Sequence, residues 1–196
     1  MKKLLALALC GLLAVVAAAQ DAPAPEGGRS PNERVAWVRG LLEASGPQHL
    51  ALVLDGSQLT RGRRAQFIRS AAIECVKLLR ETDVVSVVVY RSSPELLVPM
   101  QAARDKDAII RKIQSIEPSG ETALFAGIAR AAEEVRRYKA VGRQDRILVL
   151  GGVLGNVGPQ SADEIGILVS ALAKEGISTY LPGMGIRPTR PRGSQE

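Results

Sequence analysis

The sequence predicts an α/β domain: a doubly wound, mostly parallel sheet with helices on both faces. Two apolar runs, Leu50–Leu54 and Ile147–Leu150, carry no charge and read as strands buried on both faces. Helical patterns alternate with the strand-like runs through short, turn-rich connections, with no internal repeat. The first run ends abruptly in Asp55-Gly56-Ser57. In an open parallel sheet ligands bind outside the carboxyl ends of the strands, so a carboxylate and a hydroxyl two residues apart mark this edge as the site.

Taken in order, residues 1–19 have a basic start, a short apolar stretch and small residues at Ala17 and Ala19, the pattern of a cleavable secretory leader. The leader implies export, periplasmic or extracellular, with no membrane span after cleavage. Residues 20–29 are rich in Pro and Gly and read as a flexible linker. Ser30-Pro31-Asn32-Glu33 has capping-box spacing with Pro at the first helical position, which opens a helix over residues 30–45 before the first strand.

Arg61 to Arg80 follows the first strand with a broad apolar helical face, including Ile68, Ala72, Cys75 and Leu79. Val84–Tyr90 is a strand by its β-branched content, and Glu95–Val98 is a short antiparallel return at the sheet edge. Asp105–Ile116 has isoleucines at helical spacing and stops before Pro118. The loop Pro118–Thr122 leads into a helix with Leu124, Ile128, Ala131 and Val135 on one face. After the strand Arg146–Leu150 comes the glycine-rich stretch Gly151–Gly158. Ser161-Ala162-Asp163-Glu164 is a second capping box, and its helix closes at Gly176. Ile177–Leu181 is the last strand, set at an edge by Pro182, and residues 187–196 form a disordered tail.

Composition narrows the function. With 196 residues and 3% aromatics, one domain must build its core from Leu, Val, Ile and Ala. The net charge of +6 falls to +4 once Lys2 and Lys3 leave with the leader, and there are too few aromatics for base stacking, so nucleic acid is not an expected partner. Without the leader Cys75 is the remaining thiol, which excludes an intrachain disulfide. His49 precedes the first buried strand, at the opposite edge from Asp55, so a Ser-His-Asp constellation is not expected and the chain reads as non-catalytic.

Three stretches in this order, LVLDGSQL, PSGETALFAGI and RILVLGGVLGN, resemble a von Willebrand factor A-type domain over roughly Leu50 to Gly185. The resemblance implies a metal-ion-dependent adhesion site of the form Asp-x-Ser-x-Ser, with a Thr from a second loop and an Asp closing a later strand. It maps the metal ligands onto Asp55, Ser57 and Thr122, whereas the second Ser falls on Leu59 and the late Asp on Gly152. A divalent ion such as Mg²⁺ takes about six oxygens at roughly 2.1 Å, so two missing ligands make the site degenerate. Asp145 precedes its strand at the wrong edge, Thr60 is out of register, and Glu121 is the one extra carboxylate nearby. The resemblance also implies a further strand and helix after Gly185, which leaves the sheet truncated and gives the helix over residues 30–45 a place to pack.

The expected function is therefore protein–protein binding through the loops bearing Gly56, Glu121, Gly152 and Asn156, with no cofactor and a partner the sequence does not name. The alternatives are ligand binding through Mg²⁺, Mn²⁺ or Ca²⁺ held by Asp55, Ser57 and Thr122, and phosphate binding or enzymatic chemistry on the Gly151–Gly158 loop. The local alternative is structural: an Asx turn at Asp55-Gly56-Ser57, and Thr122 as a helix cap.

Overall fold

The computed structural model describes Arg39, Gly40, Leu42, residues 46–152 and residues 155–181. The leader, the linker, most of the helix expected over 30–45, Val153, Leu154 and the tail lie outside the described residues. Five strands form one sheet: β1 (Gln48–Asp55), β2 (Val84–Tyr90), β3 (Pro94–Ala102), β4 (Gln144–Leu150) and β5 (Ile177–Tyr180). Their spatial order is β3-β2-β1-β4-β5, with β3 antiparallel to β2 and every other pair parallel. Four helices connect them: α1 (Arg63–Leu78), α2 (Lys106–Gln114), α3 (Leu124–Tyr138) and α4 (Ala162–Lys174).

The central strand explains the two layers. All eight residues of β1 are buried, and the two-residue period of a strand sends alternate side chains to opposite faces. Leu50, Leu52 and Leu54 pack with Ile68, Ala72 and Cys75 of α1 and Ile109 and Ile113 of α2. On the other face Ala51 and Val53 pack with Ile128, Ala131 and Val135 of α3 and Ile165 and Val169 of α4. Leu42 is buried in the first cluster with Leu148, Leu150 and Tyr180, so this residue of the N-terminal segment covers the β4–β5 side of the sheet.

Several boundaries differ from the sequence pattern. β3 runs for nine residues rather than the four of Glu95–Val98. The strand continues through Pro99, which an edge strand tolerates because half of its N–H groups lie outside the ladder. β4 begins at Gln144, because Gln144 and Asp145 pair with Gln48 and His49 of β1. Asp145 is thus within the strand, not before it. The first helix starts at Arg63 rather than Arg61, after a 3-10 turn at Gln58–Thr60 and Gly62 at φ +68°. The predicted capping box opens α4, where Ser161 Oγ accepts from the Glu164 N–H and the Glu164 carboxylate accepts from the Ser161 N–H.

Candidate functional site

Parallel β1, β2 and β4 bring Asp55, Tyr90 and Gly151 to one end of the sheet, where Asp55 is paired with Tyr90 and Leu54 with Leu150. Asp55 is buried, and the chain itself occupies its carboxylate. Oδ1 accepts from the Ser57 N–H at 2.9 Å, which is the expected Asx turn. Oδ2 accepts from the Gly152 N–H at 3.1 Å. A Cβ at Gly151 would lie 2.3 Å from Asp55 Cβ and 2.6 Å from the Tyr90 hydroxyl, so only glycine lets β4 turn this close to β1.

Three loops are stitched together by main-chain hydrogen bonds. Ser119 N–H donates to Gly56 O at 2.8 Å, and Gln58 N–H donates to Gly120 O at 3.0 Å. Asn156 Oδ1 accepts from the Thr122 N–H at 2.7 Å, and Asn156 N–H donates back to Thr122 O at 3.0 Å. The Glu121 N–H is held by Ser92 Oγ at 3.0 Å. The loops of Gly56, Glu121, Gly152 and Asn156 therefore meet at this end as one connected surface. Leu59, at the position the adhesion motif gives to its second Ser, is 65% exposed.

Ser57 and Thr122 are buried, and among the described residues neither Ser57 Oγ nor Thr122 Oγ1 has a hydrogen-bond partner. An unsatisfied buried hydroxyl costs about 1–3 kcal/mol in lost solvation. Thr122 is not a helix cap: the N-cap of α3 is Ala123, and no side chain caps that helix. Thr60 instead satisfies its hydroxyl locally, donating to Ser57 O at 2.8 Å and Asp55 O at 3.2 Å.

Tyr90 is a site residue that the strand pattern hid. Its ring lies against Gly127 of α3, where a Cβ would sit 2.9 Å from Tyr90 Cβ. Its hydroxyl donates to Gly152 O at 3.3 Å. Burial, then the charge and hydrogen bonding of Asp55, push its phenol well above the ordinary value of 10.0. The signal in the sequence was only its place at a strand end beside the strand that carries Asp55.

The donors that a divalent cation would meet here are few. Asp55, Ser57 and Thr122 offer one carboxylate and two hydroxyls, and both carboxylate oxygens already accept backbone N–H groups. Gly152 presents an N–H where an anionic oxygen is needed. Among the described residues no group of three His, Cys, Asp or Glu side chains is placed to hold an ion. These three side chains supply one negative charge, and water would complete the shell of about six oxygens that Mg²⁺ takes.

At the opposite end of the sheet His49 Nδ1 meets Asp145 Oδ1 at 2.8 Å, both buried, so the single imidazole is far from Asp55 and already engaged. Burial pushes the Cys75 thiol up to about 12, which leaves it protonated and inert. In the glycine-rich loop, the N–H groups of Gly152 and Asn156 point inward to Asp55 and Thr122 rather than outward to an anion. No helix among the described residues is long and apolar enough to cross a membrane.

Residues 50–154 match the family model of the von Willebrand factor type A domain. An uncharacterized protein of Synechocystis sp. is 30% identical over 101 residues, 52% of this chain and 23% of that protein. The uncharacterized protein YfbK of Escherichia coli (strain K12) is 26% identical over 138 residues, 70% of this chain and 24% of that protein. The chain thus spans about a quarter of the length of these relatives. Among solved structures, the proximal thread matrix protein 1 of the mussel byssus, described with a zinc-occupied MIDAS motif, superposes with TM-score 0.60 at 20% identity, over 74% of this chain and 40% of that one. A von Willebrand factor type A protein from Catenulispora acidiphila gives TM-score 0.58 at 12% identity, over 68% and 32%. BatB from Bacteroides thetaiotaomicron, a conserved hypothetical protein, gives 0.55 at 19%, over 67% and 64%. At these identities the structures establish the fold.

Proposed function

Because the chain belongs to the von Willebrand factor type A domain family, we propose that it is an exported, non-catalytic module that binds a protein partner through its upper loops without a metal ion. One observation carries this reading: the Asp55 carboxylate accepts the N–H groups of Ser57 and Gly152, so main-chain donors of the chain itself tie the first loop to the exit of β4. A surface already organised loses little ordering entropy on binding. The exposed Leu59 at its rim supplies an apolar contact where the family motif has a hydroxyl. Export, to a periplasm or beyond the cell, is supported by the leader pattern of residues 1–19. The absence of catalysis is supported by His49, held by Asp145 at the far end, and by the buried thiol of Cys75.

The test is site-specific photocrosslinking in cells of the native host, with a photoreactive side chain in turn at Leu59, at Asn156, and at Ile167 on the outer face of α4. The expected result is one protein captured from Leu59 and Asn156, not from Ile167, with equal yield in chelator. Capture that requires a divalent ion would overturn the metal-free reading. Capture from Ile167 alone would move the interface off these loops.

A further inference from the structure

A cavity of about 680 Å³ opens beside the site, between the first turns of α1 and the segment that precedes Ser119. It is lined on one side by Arg61, Arg63, Gln66 and Arg69, and on the other by Glu117 and Pro118. Arg69 is pinned across it, donating to Ile116 O at 2.8 Å. Arg61 and Arg63 are exposed, and neither meets a carboxylate among the described residues.

The charge there is uncompensated in a way that local folding does not explain. Cations at a helix N-terminus oppose the helix dipole. Yet the first turn of α1 has no acidic residue, and its N-cap, Gly62, has no side chain to accept an N–H. Arg63 and Arg64 both stand in that turn, with Arg61 just before it. The groove therefore carries an excess of positive charge, and its volume lies within the usual few hundred Å³ of a ligand-sized cleft.

We propose that this groove binds a carboxylate-bearing, acidic segment of the partner protein, with Arg61 and Arg63 supplying the positive charge and Leu59 the adjacent apolar contact. The inference rests on the interaction reading above and names the chemistry of the partner. Glu117 on the facing wall adds an acceptor that a peptide N–H can meet and a phosphodiester oxygen, which only accepts, cannot. A peptide can set a carboxylate on the arginines and turn an N–H toward Glu117. Bidentate pairing of a guanidinium with a carboxylate supplies the geometric selectivity.

The experiment is fluorescence anisotropy on the full chain in chelator. The probe is a short fluorescent peptide of Glu, Asp and Leu, compared with its amide counterpart of Gln, Asn and Leu. The expected result is binding of the acidic peptide that weakens with salt, falls about tenfold or more in R61E/R63E, and is unchanged in R104E, a charge reversal at the other end of the sheet. Both target arginines are exposed; if R61E/R63E loses its folded signal, R61Q/R63Q replaces it with the same expected direction. Equal binding of the amide peptide, or an equal loss in R104E, would overturn the proposal. So would arginine-dependent binding of duplex DNA or phosphatidylglycerol vesicles without binding of the acidic peptide. If the acidic peptide fails while Leu59 still crosslinks a protein in chelator, the groove is rejected and the interaction reading stands; if both fail, the interaction reading falls with it.

Discussion

The N–H of Gly152 donates to Asp55 Oδ2 across 3.1 Å, at the position the family motif reserves for a second acid. A backbone donor stands there, and with the Ser57 N–H it gives each oxygen of the Asp55 carboxylate a hydrogen bond. The first consequence concerns metal. The melting temperature of the wild-type chain is expected to be the same in chelator and in millimolar Mg²⁺, Mn²⁺ or Ca²⁺. The double variant L59S/G152D restores both missing oxygen ligands and is expected to melt lower in chelator, through repulsion between Asp55 and the new acid, and to gain with Mg²⁺. A metal-dependent rise in the wild type would restore the alternative in which Asp55, Ser57 and Thr122 hold a cation.

Asp55 has a structural role that needs no ion. Asp55→Ala leaves the Ser57 and Gly152 N–H groups without their acceptor and is expected to lower stability by about 2–3 kcal/mol in chelator, read by urea unfolding. An unchanged midpoint in chelator would show that the two hydrogen bonds contribute nothing.

The packing of Gly151 is equally specific. Gly151→Ala places a methyl against Asp55 Cβ and the Tyr90 hydroxyl and is expected to destabilise by about 1–3 kcal/mol. Gly166→Ala, on the outer face of α4 with nothing within 4 Å, is the neutral or stabilising control.

Tyr90 gives a pH signature with a definite sign. Its phenol is raised in the fold by burial and by Asp55, so its contribution is complete below the unfolded value near 10.0 and is lost as pH rises from there toward the higher folded value. Tyr90→Phe cannot ionise. The stability difference between wild type and Tyr90→Phe is expected to be flat below pH 10.0 and to move against the wild type above it, by chemical denaturation at each pH. A difference that stays flat above that pH would remove the linkage.

At the other end of the sheet Asp83 gives the opposite sign. Burial raises its carboxyl, but the Arg80 side chain and the N–H groups of Arg80 and Gln48 outweigh burial and hold it below the ordinary 3.8. Its contribution is present above the unfolded value and is lost as pH falls through the lower folded one. Asp83→Asn is expected to lose stability at neutral pH and to show a shallower acid transition than the wild type. Identical acid transitions would count against this assignment.

Much of the fold was legible because it rests on patterns local in sequence. The uncharged runs at Leu50–Leu54 and Ile147–Leu150 are the buried strands, Val84–Tyr90 is β2 as read, and Ser161 with Glu164 closes the capping box of α4. The misreadings share one cause. The strand read as Glu95–Val98 extends past Pro99, and Asp145, read as preceding its strand, lies within it, each carried there by its neighbour: β2 pairs along β3, and His49 pairs with Asp145. Propensity yields where the ladder and a buried side-chain hydrogen bond hold a residue in place.

For the site, the sequence by itself determined which residue types stand at the strand ends: an acid at Asp55, hydroxyls at Ser57 and Thr122, no oxygen at Leu59 and no acid at Gly152. It also determined the α/β class, since hydrophobic period and turn chemistry act over a few residues. Only the tertiary structure decided that Asp55 is satisfied by backbone from β4's exit loop, that Tyr90 stands over it, that Thr122 caps nothing, and that the arginines of α1 face Glu117 across a groove. Those relations join residues 34 to 97 positions apart where a bond is formed across the sheet end. They depend on strand order and register, which fix distances that no local pattern encodes.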